Sequence, residues 1–399
     1  MSRRDFVTIE NDNGDKVKQT KVYLTMFLNE AYGIFVEENP DKTISFSKFC
    51  ELRPKNVLQL RDTPSEQCQT HENFRLALYS LGITYNKEFW SNTLCNSEVD
   101  SVCWSLMCPD CSNGTKITHL KQKTDLVNRG VWTKISSKRI QRVKELVPVH
   151  KIETELRLMW DQFVNHVRVK RMQYAHFQTD QLAQGVRIIN IDFAMNLAAE
   201  GQEEIRSTLW SRASVVLFTV AIQYNQEIKF LILVSDYKAK DKNAIFAYLG
   251  YILSYLGDVE NPEIREVIWS DGPSSEFKNQ CMCTALKYFA KKYLKMFEWK
   301  YFATSHGKGL CDAVGGKAKM VVREKTLVRG FRIDAVNNAA DFVRICQNNL
   351  PGIRTVEIKP SEIIALNSRK NLWESSSPVK GIKSAYHLCA FPDGTLTID

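Results

Sequence analysis

Three aspartates in the second half of the chain have the residue type and surroundings of metal ligands. Asp192 lies in "INIDFAMN", Asp271 in "VIWSDGPSSEFKN" and Asp312 in "SHGKGLCDAVGG". Singly, each has an ordinary role, as a strand end, a turn residue or a helix N-cap. Together they suit phosphodiester cleavage by two metal ions, which needs acidic ligands around ions about 3.5–4 Å apart. We therefore predict that they bind Mg²⁺ or Mn²⁺, hard cations that prefer oxygen ligands.

The third ligand position has two rivals. Glu276 follows Asp271 closely, and Glu324 lies three turns further along the helix expected after Asp312. Glu324 is the stronger rival because it belongs to that same helix. The sequence thus leaves Asp312 or Glu324 open as the third ligand.

The apolar pattern places these carboxylates in an α/β domain. Apolar runs predict strands and helical periodicity predicts helices. The strands are 186–192, 214–224, 228–236, 264–271 and 297–305, and the helices are 242–257, 275–294 and 311–327. Three strands followed by alternating helices and strands is the order of an RNase H-like mixed sheet with flanking helices. In that fold the ligands come from the first strand, the end of the fourth strand and a later helix, which is where the three aspartates fall.

A cysteine-rich stretch precedes this domain. The pair in "CPDC" has the two-residue gap with which a tight turn holds zinc, and "CQTH" has the same gap. We predict a structural zinc site whose candidate ligands are Cys68, His71, Cys95, Cys103, Cys108 and Cys111. The alternatives are buried free thiols, or a redox role for the CPDC pair. Three further cysteines are expected to serve packing: Cys281, Cys283 and Cys311.

Composition and charge bear on partners. The chain has 399 residues and a net charge of +9, and basic residues cluster at 136–144, 167–173, 287–295 and 315–325. Each cluster alone reads as a solvated helix face, whereas four together favour nucleic acid. No run of about 18 apolar residues and no secretory leader occurs, so we expect no membrane association and reduced thiols.

We divide the chain into five parts. His166 and His176, on the long helix of the third part, are expected to pack or to face solvent rather than to bind metal. The parts are an N-terminal helical segment (1–60), a small helical, cysteine-rich module (61–120), a linker with a long amphipathic helix (121–184), the RNase H-like core (185–345) and a C-terminal extension (346–399).

Several stretches resemble a family of transposon-derived proteins of invertebrate genomes. They are "IDFAMNLAAEGQEEIRSTLW", "VIWSDGPSSEFKN" and "YFATSHGKGLCDAVGGKAK", with "SFSKFCELRPKNV" and "CQTHENFRLAL" upstream. The resemblance runs from about residue 20 to residue 325. It implies an RNase H-like core of the DDE/D transposase type after a cysteine-rich module, with Asp192, Asp271 and Asp312 as its acidic positions.

One position departs from the family's pattern. The family's first motif reads Asp-Phe-x-Glu-Asn, and here Met195 stands in place of the glutamate. The glycine-flanked "SHGKG" loop before Asp312 would let the backbone approach a phosphate. DNA contacts are therefore expected from His306 and Lys308 of this loop and from Lys317 and Lys319 of the next helix.

The leading interpretation is a transposase-derived enzyme that cuts and joins double-stranded DNA at transposon ends. Its expected location is the nucleus, or the cytoplasm before import, and the assembly considered is a homodimer. The alternative, favoured by Met195, is a degenerate or domesticated relative that keeps the zinc module and binds DNA without cutting it. A third reading, a nuclease for RNA–DNA hybrids, does not account for the cysteine module.

Overall fold

The computed structural model divides into two units, Met1–Gln67 and Cys68–Asp399. The structure describes residues 6–10, 16–20, 22–23, 28–39, 42–58, 68–96, 98–99, 101–111, 114, 116–136, 139–198, 214–303, 310–326, 336–365, 370–374 and 376–399. Within these residues, no helix has both the length and the apolar character needed to cross a membrane.

The N-terminal unit mixes strands with helices. An antiparallel hairpin of β1 and β2 comes first, and β3 then pairs in parallel with β4. Tyr32 and Phe35 pack their rings on Phe49, which joins the two helices. The expectation of a helical segment over residues 1–60 therefore holds only in part. The elements are β1 (Phe6–Glu10), β2 (Lys16–Thr20), β3 (Val22–Tyr23), α1 (Leu28–Glu38), α2 (Phe46–Leu52) and β4 (Val57–Leu58).

The cysteine-rich region folds around an aromatic core. Trp90, Trp104, Trp160 and Phe163 are buried together. Part of the stretch predicted as a linker is a β-hairpin, since β5 and β6 pair along almost their whole length before the long helix begins. The elements are α3 (Gln69–Ser80), α4 (Lys87–Thr93), β5 (Leu126–Ser136), β6 (Arg139–Pro148) and α5 (Val149–Leu182).

A mixed eight-stranded sheet forms the centre of the larger unit. Its strands are β7 (Val186–Ala198), β8 (Ser214–Tyr224), β9 (Glu227–Ser235), β10 (Arg265–Ser270), β11 (Phe297–Tyr301), β12 (Ile353–Glu357), β13 (His387–Ala390) and β14 (Leu396–Ile398). Their order is β12-β9-β8-β7-β10-β11-β13-β14. β7, β8 and β9 are antiparallel neighbours, whereas β10 runs parallel to both β7 and β11. The predicted α/β class is thus confirmed.

The C-terminal residues belong to this sheet and do not form a separate extension. β12 pairs with β9 at one edge, and β13 pairs with β11 towards the other. A boundary at residue 346 would therefore cut through a continuous sheet.

Helices cover both faces because the central strands are apolar on both sides. One face packs against α6 (Lys242–Leu256) and α7 (Gln280–Lys292). The other packs against α8 (Leu310–Thr326) and α9 (Ala339–Asn349). Phe177, near the end of α5, packs on Trp269 and Phe302, on the same face of the sheet as α8. Two short helices complete the fold, α10 (Pro360–Ala365) and α11 (Lys370–Glu374).

Candidate functional site

Asp192 lies on β7, and Asp271 directly follows the end of β10, the strand that runs parallel and adjacent to β7. Asn190 of β7 pairs with Trp269 of β10, and each aspartate lies two residues further along its chain. Side chains alternate across a strand, so both aspartates belong to the sheet face on which Trp269 packs. This is the face that also carries α8.

Helix α8 approaches this point closely, and a glycine permits it. A Cβ on Gly315 would lie 3.0 Å from Ala194 Cβ and 3.2 Å from Thr219 Cγ2. One turn earlier, Cys311 Sγ donates a hydrogen bond to the carbonyl oxygen of Asn190 at 3.2 Å. Asp312 follows in the first turn of α8. The contact between helix and sheet therefore brings Asp312 to the strands that carry Asp192 and Asp271.

A tight turn keeps Glu276 near Asp271. The carbonyl oxygen of Pro273 accepts hydrogen bonds from the backbone N–H groups of Glu276, Phe277 and Lys278. Asn279 then caps α7 by accepting from two backbone N–H groups of its first turn. The residues that follow Asp271 thus fold back over the end of β10.

Burial and neighbouring carboxylates raise the pKa values of Asp192 and Asp271. Burial and then the charges of Asp271 and Asp312 raise the pKa of Asp192 to about 8. Burial, Glu276 and Asp312 raise the pKa of Asp271 to about 6, and Lys240 partly offsets this. Like charges interact this strongly only when they are near each other and poorly solvated. The structure therefore gathers four carboxyl groups into one cluster, which is defined as Asp192, Asp271, Glu276 and Asp312 and is called the carboxylate cluster below.

One atom of the carboxylate cluster has no partner. Asp271 Oδ1 is buried, and no described residue donates a hydrogen bond to it. A buried carboxylate oxygen without a donor is unfavourable unless a cation completes its surroundings. Oxygen-only donors of this kind suit hard divalent cations.

The carboxylate cluster is wider than a site for a single ion. Among the described residues, groups of three ligand atoms within 4.8 Å of one another all contain cysteine or histidine, and the aspartates form none. Carboxylates repel one another when no cation neutralises them, and ligands for two ions span more space than ligands for one. The spacing is therefore that of an open cluster.

The rival ligand Glu324 lies apart from the carboxylate cluster. It is exposed on α8, twelve residues after Asp312, which corresponds to about 18 Å along a helix. It is absent from the charges that raise the pKa of Asp192 or Asp271. Among the described acidic residues, Asp312 and Glu276 are the neighbours of the pair.

The sequence also predicts DNA contacts from four residues and singles out Met195. Lys317 is exposed and Lys319 half-buried on α8, one to two turns after Asp312. His306, Lys308 and the side chain of Met195 lie outside the described residues.

Two lysines near the carboxylate cluster were not predicted from the sequence as functional residues. Lys240 Nζ lies 5.1 Å from the ring centroid of Phe193 and lowers the pKa of Asp271. Lys278 is buried, its Nζ lies 3.9 Å from the ring centroid of Tyr386, and burial lowers its pKa to about 8. For Lys278 the sequence contains one signal, because this lysine follows Asp271 closely in the chain.

The cysteine module contains a four-thiol cluster. The sulfurs of Cys95, Cys103, Cys108 and Cys111 lie within 4.8 Å of one another, with Cys95 Sγ and Cys108 Sγ at 3.9 Å. Sulfurs at the corners of a tetrahedron with Zn–S bonds of about 2.3 Å would be about 3.8 Å apart. This four-cysteine cluster can therefore hold a metal ion such as zinc.

The surroundings favour the thiolate form at Cys108 and disfavour it at Cys111. A backbone hydrogen bond from Asp110 is the largest of the effects that lower the pKa of Cys108 to about 7, whereas burial raises the pKa of Cys111 to about 12. Lys116 Nζ lies 3.0 Å from Cys95 Sγ and supplies a positive charge at the exposed side. A metal would add the charge that the buried thiolates need.

The six zinc candidates divide into two groups. Cys68 and His71 lie with His166 of α5, apart from the four cysteines. The assignment of His166 to packing or solvent was therefore incomplete, because its ring nitrogen lies 3.3 Å from Cys68 Sγ. Ninety-eight residues separate these two, so no local spacing could reveal the pair.

Comparison with known proteins finds two families without an assigned activity. Residues 132–399 match the family described as Domain of unknown function (DUF8701). Residues 1–61 match the family described as Domain of unknown function (DUF8699). No curated protein and no solved structure matches the chain.

Proposed function

This chain belongs to the DUF8701 family, whose name assigns no activity, and we propose from its site that it is a transposase-derived enzyme that cuts and joins DNA strands. The observation that carries this proposal is the carboxylate cluster, with Asp192 and Asp271 on adjacent parallel strands and Asp312 on the helix packed over them.

The strand order supports an RNase H-like core. Strands β9, β8, β7, β10 and β11 are consecutive neighbours, with the first three antiparallel and the last two parallel to β7. Helices α6 and α7 connect β9 to β10 and β10 to β11. The order of these elements along the chain is the one expected from the sequence, and the added strands β12, β13 and β14 lie at the two edges of the sheet.

The carboxylate cluster fits a pair of hard cations. Asp192, Asp271 and Asp312 would hold them. Asp271 has an unpartnered buried oxygen, the charge of Asp312 acts on Asp271, and the charges of Asp271 and Asp312 act on Asp192. Bound there, Mg²⁺ or Mn²⁺ would activate a water or a 3′-hydroxyl and neutralise charge on the departing oxygen. No nucleophilic side chain is required.

The protein's own residues set the charge and the access of the site. With a pKa of about 8, Asp192 must lose a proton to the solvent at neutral pH before it acts as a ligand, whereas Asp271, with a pKa of about 6, is already mostly ionised there. Lys240 places a positive charge near Asp271. Lys317 and Lys319, on the same helix as Asp312, would contact the phosphate backbone on either side of the reacting bond.

A basic ribbon formed by residues 131–144 supports double-stranded DNA as the substrate. The sequence "VWTKISSKRIQRVK" contains five basic and no acidic residues. Its described residues, 131–136 and 139–144, lie on the outer half of the β5–β6 hairpin, where Lys134, Arg142 and Lys144 are exposed. The helix face expected for residues 136–144 is therefore wrong in the described part of that stretch. A two-stranded ribbon fits the major groove of DNA, and its charges displace counterions from phosphates.

The second candidate is a relative that binds DNA without cutting it. Met195 favours it, because the related motif carries a glutamate at that position next to Asp192. In both cases the partner is DNA, so we propose a nuclear location for either.

Cleavage of end-labelled duplex in Mg²⁺ separates the two candidates. Wild type should cut, and Asp271→Asn should lose at least about a hundredfold in rate, since even residues behind metal ligands contribute 10–100-fold. Both should bind DNA alike. Glu324→Gln, a change on the exposed side of α8, is the matched control and should cut normally.

Equal cleavage by wild type and Asp271→Asn would refute the active site. Binding without cleavage by wild type would select the second candidate. If Glu324→Gln alone abolished cleavage, Glu324 would replace Asp312 as the proposed third ligand. Faster cutting of an RNA–DNA hybrid than of duplex DNA would change the substrate class.

A further inference from the structure

We propose that Cys68, His71 and His166 bind a second zinc ion, separate from the four-cysteine cluster. Their ligand atoms lie within 4.8 Å of one another. The three residues, called the Cys-His-His site below, come from α3 and α5, whereas the four cysteines come from residues 95–111.

The spacing matches zinc coordination. Cys68 Sγ and His166 Nε2 are 3.3 Å apart. With Zn–S near 2.3 Å and Zn–N near 2.0–2.1 Å, a tetrahedral ion would hold such a pair about 3.6 Å apart. A few tenths of an ångström of side-chain adjustment would suffice, and that is within the tolerance of ordinary rotamer wells.

Helix α3 prepares two of the ligands. Cys68 is the residue that precedes the helix and His71 lies in its first turn. Residues three apart lie on one helix face, so both side chains point the same way. The partial positive charge of the helix N-terminus lies beside Cys68 and complements the negative charge that a metal-bound sulfur carries.

Ring contacts with aromatic side chains hold the histidines in position. The rings of His71 and His166 have centroids 4.9 Å apart, and His71 also packs on Phe163 at 5.5 Å. Phe163 lies one turn before His166 on α5 and stacks on Phe74 of α3 at 3.8 Å. Buried rings on both helices thus limit the rotation of the ligands, as neighbouring side chains do around bound metals.

The donor set indicates zinc rather than a hard cation. One thiolate and two neutral imidazoles suit zinc and do not suit Mg²⁺. Three protein ligands leave a fourth position, which a water would fill. His71 and His166 are half-buried, which leaves solvent access for that water.

A third group of ligand atoms serves as a contrast. Glu298, His387 and Cys389 are also within 4.8 Å of one another. Arg265 and Lys300 form ion pairs with Glu298, at 3.1 Å and 3.7 Å. Their charges already neutralise the carboxylate, so this group is an ion-pair network.

A metal here would fix the base of the basic ribbon. Asn73 of α3 accepts a hydrogen bond from the backbone N–H of Trp132 at 2.8 Å and donates one to its carbonyl oxygen at 2.9 Å. Gln69 donates to the same carbonyl oxygen at 2.9 Å. Helix α3 therefore holds β5 directly, and a zinc bridge to α5 would hold α3.

Zinc content of the purified full-length protein tests the proposal. After dialysis against metal-free buffer, wild type should contain two zinc ions per chain by elemental analysis. Cys68→Ser and His166→Ala should each contain one, because they lose the zinc of the Cys-His-His site. Cys108→Ser should also contain one, because it loses the zinc of the four-cysteine cluster instead. His176→Ala, an exposed histidine ten residues further along α5, is the matched control and should contain two.

Cobalt spectra keep the test decisive if a variant folds poorly. In the Cys108→Ser protein loaded with Co²⁺, the Cys-His-His site should give a weak thiolate charge-transfer band from a single sulfur. That band should disappear in Cys108→Ser combined with the milder change His166→Gln. The proposal would be overturned if wild type contained one zinc ion and both Cys68→Ser and His166→Ala retained it. None of these readouts requires DNA cleavage, so the proposed enzyme activity is not assumed.

Discussion

Asp192 and Asp271 stand side by side on parallel strands that are separated by more than seventy residues of chain. The pairing of Asn190 with Trp269 sets their register, and both aspartates follow by two residues. A shift of one residue in either strand would send its carboxylate to the opposite face. The two carboxylates meet because the strand register is set by the buried apolar residues on both faces, and α8 then adds Asp312 above them.

The two adjacent glycines of α8 should respond oppositely to alanine. Gly315→Ala places a methyl against Ala194 and Thr219, so it should cost about 1–3 kcal/mol and displace the first turn of α8. DNA cleavage should fall by about a hundredfold, the effect of a shift near 1 Å in a catalytic group. Denaturant titration and cleavage rates check this.

Gly316→Ala is the control for that change. Nothing lies within 4 Å of a Cβ at Gly316, and the residue is exposed. Alanine is favoured over glycine inside a helix by about 0.5–1 kcal/mol, so this variant should be slightly more stable and fully active. Equal losses in both variants would show that the close contact of Gly315 with the sheet is not what sets the position of α8.

The metal-free protein should lose stability as pH rises. The pKa values of Asp192 and Asp271 are raised to about 8 and about 6, so both groups hold protons more tightly in the folded than in the unfolded state. Their stabilising contribution is complete below about pH 4 and is lost as pH rises through about 6 and then about 8. Tm in a chelating buffer should fall by at least a few degrees over that interval.

Mg²⁺ should reverse this trend, because a bound cation favours the ionised carboxylates. At pH 8, millimolar Mg²⁺ should therefore raise Tm in wild type. Asp271→Asn should show a flatter pH profile without metal and a smaller response to Mg²⁺. A Tm that rises from pH 5 to pH 8 without metal would contradict the clustering of these carboxyl groups.

The basic ribbon should govern the salt dependence of DNA binding. Lys134→Ala combined with Arg142→Ala removes two exposed charges from the ribbon, so the slope of log K against log salt should fall by about two. Fluorescence anisotropy at several salt concentrations measures this slope.

A matched pair of exposed lysines elsewhere serves as the control. Lys380→Ala combined with Lys383→Ala removes the same charge from the loop before β13. This variant should keep the wild-type slope. Equal changes in both double variants would show that binding depends on net charge alone and not on the ribbon.

The four-cysteine cluster should be necessary for the fold of its module. Cys111→Ser should remove one zinc and lower Tm, since metal binding and folding are coupled in small zinc modules. Trp104 fluorescence should change with it, because Trp104 lies in the same buried core. Elemental analysis and thermal unfolding give the two readouts.

Cys346→Ser separates zinc loss from ordinary destabilisation. Cys346 is fully buried between the sheet and α9, outside both thiol clusters. This variant should lose stability through its buried hydroxyl but keep all its zinc. Unchanged zinc in Cys111→Ser would remove this cysteine from the metal site.

Much of the sheet could be read from the sequence because its information is local. The runs around Val186, Ser214, Glu227, Arg265 and Phe297 are apolar over the length of one strand, and each predicted strand appears close to its expected position. The identity of Asp192 and Asp271 as acidic residues on strands also follows from that pattern, since an aspartate next to buried strand residues is conspicuous.

Other features depend on contacts between distant parts of the chain, and these were decided only by the tertiary structure. The β5–β6 hairpin was expected to be a linker because its exposed outer half, with Lys134, lacks a regular apolar alternation. β12 to β14 complete the sheet edges through pairing with strands far away in sequence, which short C-terminal segments do not reveal.

The sequence by itself determined which residues can bind metals and on which elements most of them lie, because residue type and apolar periodicity are local properties. Only the tertiary structure decided how they group. It separated Cys68 and His71 from the four cysteines and joined them to His166, and it placed Glu276 by the aspartates and Glu324 away from them. The physical reason is that packing of α3 on α5, and of α8 on β7, sets distances between side chains that lie 98 positions apart in the first case and 121 in the second.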